Sequence, residues 1–169
     1  MIALDAETGG ERLRALGDEI VFLGGGRIAV AENVGDLAGH MRRTVWRSAG
    51  ERFEPETPEL VANPSGEFRA TTPADCARAA LECVQLGLDE AAASYFDDGA
   101  RMDESARQVA LSTGGTAQLR FAPPDGRHAV AAVRPLRSAL AEAVPVYYEA
   151  VMRDGAWKLT EMKADKVEP

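Results

Sequence analysis

A chain of 169 residues with 46 % hydrophobic content carries enough apolar material for one domain, or for one domain with an N-terminal extension. Its net charge of −8 and isoelectric point near 4.8 exclude nucleic acid or an anionic membrane as the main partner, because phosphate binding needs clustered Lys and Arg. No apolar run is long enough to span a bilayer, and the opening MIALDAETGGERLRA has neither a basic nor an apolar leader region, so a soluble, cytoplasmic protein is expected.

Glu19 to Glu32, EIVFLGGGRIAVAE, predicts two strands around Gly24-Gly25-Gly26. The glycines lack nucleotide-loop spacing, and a strand follows where a phosphate site needs a helix N-terminus. Val34 to Arg43 reads as a short helix capped by Asn33, with His40-Met41-Arg42-Arg43 as its solvated end. Thr44 to Ser48 returns to strand character, and its Trp46 offers an edge for association. From Ala49 to Thr71 three prolines among Glu, Ser, Asn and Gly give the composition of a connector. The expected organisation is therefore an extension of hairpin, helix and linker over residues 1–65 and a domain over residues 66–169.

Thr72-Pro73-Ala74-Asp75 opens the clearest helix, with a hydroxyl cap, proline at the first position and an acid in the first turn. Cys76, Ala80, Cys83 and Val84 recur at helical spacing. The two cysteines stand about 10 Å apart along the axis, too far to bridge. With only His40 and His128 for company they make no zinc set, and no metal or cofactor is expected. Gly87 breaks the helix, Asp89 caps a second over Glu90 to Phe96 that closes at Asp97-Asp98-Gly99, and Met102 to Ser112 adds a third before Gly114-Gly115. The pattern then turns to β: Thr116 to Phe121, a Pro123-Pro124-Asp125-Gly126 turn, and His128 to Leu136, with Ser138 to Ala143 open between helical turn and strand.

Val144 to Asp165 carries the strongest signal, two alternating runs joined by Arg153-Asp154-Gly155. Counting outward from an Asp154-Gly155 turn pairs Met152 with Trp157, Ala150 with Leu159 and Tyr148 with Glu161. Glu161 then stands beside a tyrosine on an apolar face, where burial raises a carboxyl pKa. A one-residue slip moves it to the solvated face instead.

Thr72-Pro73, the segment LGLDEAAASYF from Leu86 to Phe96, and Arg153-Asp154-Gly155-Ala156-Trp157-Lys158-Leu159 together resemble the nuclear transport factor 2-like superfamily over about residues 70–165. The resemblance implies an α+β fold: a curved antiparallel sheet packed on N-terminal helices in a cone, here with an N-terminal β-hairpin extension, and commonly a homodimer. It places Tyr95 and Phe96 near a pocket, with Trp157 and Leu159 lining the concave sheet. Residues Glu11 to His40 are also similar to the tail of ATP-binding cassette ATPases, but the chain lacks the Walker A, Walker B and signature motifs, so ATP hydrolysis is excluded for it alone.

Three functions are compatible with these residues. The first is a non-catalytic accessory domain whose apolar pocket, built from Tyr95, Phe96, Tyr148, Trp157 and Leu159, accepts a small apolar ligand or a protein segment. The second is a cofactor-free isomerase, cyclase or dehydratase with Glu161 as base, Tyr148 as hydrogen-bond donor and His128 as partner. The third is an association module in which the N-terminal hairpin offers a strand edge.

Overall fold

The computed structural model describes residues 2–4, 10–63, 68–112, 119–121, 128–134 and 142–164. They fall into two units, Met1–Phe68 and Arg69–Pro169.

The first unit grows from the glycine hairpin. Gly24, Gly25 and Gly26 all take positive φ, so β3 (Glu19–Gly24) reverses into β4 (Arg27–Asn33) with a twist that L side chains resist. Ile20 faces Val30 and Phe22 faces Ile28, and a bulge follows between Phe22 and Gly24. β5 (Met41–Ala49) continues the sheet beside β4. The far side of β5 carries two short strands, β6 (Arg52–Pro55) against its end and β7 (Glu59–Val61) against its start. A separate pair, β1 (Ile2–Leu4) with β2 (Glu11–Arg14), precedes them. Leu13, Ala15, Ile28 and Val30 form a core cluster on which Ile20, Trp46 and Phe53 pack.

Two expectations fail here. Val34 to Arg43 is not a helix: Gly35 and Gly39 take positive φ, and Asn33 Oδ1 accepts from Gly35 N at 2.7 Å in a local turn. Asp36 then closes the loop, accepting from His40 N at 2.7 Å and holding His40 Nδ1 at 2.6 Å. Each interior glycine costs a helix about 1 kcal/mol relative to alanine, and the loop bonds supply the alternative. The 49–71 connector, in turn, carries β6 and β7, because β5 is long enough to offer both a partner edge.

In the second unit α1 (Pro73–Gln85) starts as expected, with Thr72 Oγ1 accepting from Asp75 N at 3.1 Å. It buries a stripe from Cys76 to Val84 and ends where Gly87 and Leu88 donate back to the Val84 and Cys83 carbonyls. α2 (Asp89–Ala93) and α3 (Glu104–Ser112) follow. Asp89 does not cap α2. Its carboxylate instead takes two bonds from Arg107, at 2.6 and 3.2 Å. The sheet is antiparallel, in the order β11 (Ala156–Ala164), β10 (Glu142–Arg153), β9 (His128–Arg134), β8 (Leu119–Phe121). α1 and α3 pack on it. Gly114-Gly115, the Pro123 to Gly126 turn, residues 116–118, residues 135–136 and most of Ser138 to Ala143 lie outside the described residues.

The fold is α+β, but the expected cone on N-terminal helices is not what the chain builds. An antiparallel sheet of several strands, not a lone hairpin, occupies the N-terminal part. The three helices sit in the middle of the chain, and the β10–β11 hairpin follows them. The N-terminal strands are short and largely without alternation, so the sheet they build is only weakly signalled in the sequence. No helix among the described residues is long and apolar enough to cross a membrane.

Candidate functional site

β3 reads IVFL where a half-buried strand would alternate, and the structure shows why it need not: β3 is an edge. Among the described residues it pairs with β4 on one side only. Val21, Phe22 and Leu23 remain 42 %, 74 % and 44 % exposed, a run of large apolar side chains on the side of β3 that no other described strand pairs. The usual protections are thin along it. There is no lysine or proline, the only charge is Glu19 at its start, and the one bulge lies at the turn end.

The face of the sheet beside this edge holds a groove of about 260 Å³, with Val21 and Leu23 along β3, Ala29 and Ala31 on its floor and Met41 and Val61 beyond. Glu19 stands at one rim. Arg43 stands at the other, its Nη2 3.0 Å from Glu59 Oε1, and its buried Nε has no acceptor among the described residues. The opposite face carries Ile20, Phe22, Ile28, Val30 and Trp46, placed there by strand alternation. Trp46 is half-buried on an inner strand, so Thr44 to Ser48 is not the free edge that its composition suggested.

Of the residues singled out in the second unit, Phe96, Tyr148 and Leu159 are buried, Tyr95 and Trp157 are half-buried and Glu161 is exposed. Asp154 and Gly155 take φ of 48° and 79°, and the hairpin register holds as counted through Ala150 and Leu159. A bulge then intervenes: Glu149 faces Glu161, and Tyr148 faces Met162. The expected Tyr148–Glu161 pair is therefore replaced. Thr160 is the extra residue, and its insertion turns Met162 inward and Glu161 outward, where Lys163 Nζ meets it at 2.8 Å. Burying Met162 gains about 1.5–3 kcal/mol, whereas burying an unpaired carboxylate costs several, so the bulged register wins.

Leu159 and Met162 are 0 % exposed, and Tyr148 and Phe96 are buried with them. Tyr95 and Phe96 do meet β11: Leu159 N donates to the Tyr95 carbonyl at 2.8 Å, and Asp97 N donates to the Leu159 carbonyl at 2.9 Å. Trp157 is half-buried, its Nε1 donating to the Thr71 carbonyl at 3.1 Å. His128 lies on β9 opposite Tyr148 in the backbone register. Burial pushes the Tyr148 phenol up to about 12, helped by the negative charge of Asp75. Burial likewise pushes the Cys76 thiol up to about 11 while its Sγ donates to the Trp157 carbonyl at 3.1 Å. Both groups stay protonated at neutral pH, and Glu161 is turned to the face opposite Tyr148.

Among the described residues no three His, Cys, Asp or Glu side chains gather to hold a metal. Comparison with protein-family models, curated proteins and solved structures finds no match to this chain.

Proposed function

We propose that the protein is an association module whose docking element is the β3 edge of its first unit. The single observation that carries this reading is the exposed run Val21-Phe22-Leu23 on a strand with one neighbour among the described residues. An edge of this kind accepts an extended segment by main-chain hydrogen bonding, and specificity comes from alternate side chains entering the adjoining face. The groove suits such side chains better than a whole small molecule, since its 260 Å³ lies below the roughly 300–1,000 Å³ of ordinary ligand pockets.

The test is selection of random heptapeptides displayed on phage against the immobilised full-length chain. Enriched peptides should alternate apolar and polar residues, and their affinity should fall at least about tenfold in Val21→Lys, which leaves the hairpin turn intact. No enrichment, or binding indifferent to Val21→Lys and Leu23→Lys, would overturn the reading.

A further inference from the structure

Strand β3 is close to its own complement, and we infer that it pairs antiparallel with β3 of a second copy about a two-fold axis through Phe22. This rests on the edge reading above and names the partner. Directly opposed residues in one sheet share a face, so a two-fold axis must set one residue against its own copy. Only Val21 and Phe22 are central enough to leave two pairs of strand residues on each side. With Val21 at the centre, Glu19 opposes Leu23 of the other copy, a carboxylate against an apolar side chain. With Phe22 at the centre, Phe22 opposes Phe22 and each Val21 opposes a Leu23, so all three exposed apolar residues gain apolar partners at once.

Charge placement agrees with the second arrangement. Each Glu19 then falls just past the Gly24 end of the other copy's strand, where the glycine turn offers no charged side chain. The two carboxylates stand six residues apart along the ribbon, roughly 20 Å, which is beyond the ~8 Å screening length at physiological salt. A chain of net charge −8 is thus able to bring two copies together without opposing its edge charges. The contact is small. Three side chains already 42–74 % exposed bury a few hundred Å² per copy, short of the roughly 800 Å² of a stable complex. The dimer is accordingly weak and reversible.

Sedimentation equilibrium of the full chain should show a concentration-dependent monomer–dimer equilibrium, weakened at least about tenfold by Phe22→Lys. Mild oxidation of Phe22→Cys should give a disulfide-linked dimer, because opposed Cβ atoms lie about 4.5–5.5 Å apart, close to bridging distance. Val21→Cys should not, because its copies lie on a diagonal of about 7–8 Å. The native thiols, Cys76 and Cys83, are buried and do not compete. All these substitutions are at exposed positions, and an unchanged far-UV circular dichroism spectrum verifies folding. A wild-type chain that stays monomeric, or cross-linking that favours or equals Val21→Cys, overturns the inference. A monomer that still binds selected peptides overturns the homodimer alone, and one that binds neither overturns the edge reading as well.

Discussion

Replacing Met162 and, separately, Glu161 by alanine distinguishes the bulged hairpin from the regular one. In the bulged register Met162 is 0 % exposed and opposes Tyr148, while Glu161 is solvated on the far face. Removing the buried thioether forfeits about 2 kcal/mol of transfer free energy, and the cavity left in the packed interior raises the loss to about 3 kcal/mol. Glu161→Ala removes only an exposed pair with Lys163 and should stay within about 0.5 kcal/mol. A regular register would reverse the pair: Met162 would face solvent and its loss would cost little, while removal of an inward carboxylate would stabilise. The chain has two tryptophans, Trp46 in the first unit and Trp157 in the second. Urea unfolding followed by fluorescence in a Trp46→Phe background therefore reports the second unit alone. A Met162→Ala cost below about 1 kcal/mol, or a Glu161→Ala effect equal to it, would refute the bulge and with it the outward placement of Glu161.

A Cβ at Gly17 would lie 2.5 Å from Val30 Cγ1 and 2.9 Å from the Ala31 carbonyl oxygen, so Gly17→Ala should destabilise the first unit by about 1–3 kcal/mol, read from Trp46 fluorescence in a Trp157→Phe background. Both Cys76 and Tyr148 have folded pKa values raised by burial, from 9.0 to about 11 and from 10.0 to about 12. Their stabilisation is thus whole below the unfolded values. Above about pH 9 the unfolded chain binds fewer protons than the folded one, and stability falls through to about pH 12. Urea midpoints should decline over that window, and Cys76→Ala should flatten the lower part of the decline; an unaltered slope would refute the burial of the thiol. For the same reason a water-soluble disulfide reagent should leave Cys76 unmodified in the folded protein at neutral pH and react on denaturation, as seen by absorbance.

The glycine hairpin, the capped α1 and the Asp154-Gly155 turn were legible because each rests on a backbone requirement that few residues meet: positive φ in the turns, a side-chain acceptor and an N1 proline at the helix start. The loop at 34–40 was not, because its decisive bonds run from Asp36 to His40 and compete with a helix that the same residues could begin. The bulge was invisible to counting, since it is set by the preference for Met162 over Glu161 inside, several residues beyond the turn. Of the candidate site, Phe96 and Tyr148 lie near β11 as core, and Tyr95 and Trp157 lie half-buried beside them. The β3 edge had a signal in plain view, the unalternating IVFL, whose meaning depended on which strand ended the sheet.

The most direct test of the docking edge is amide hydrogen exchange of the full chain, read by mass spectrometry with rising protein concentration and with a selected strand peptide. Exchange should slow within Glu19–Gly24 and stay unchanged in Ala156–Ala164. Protection confined to another segment, or none at saturating peptide, would contradict the assignment of β3 as the site of association.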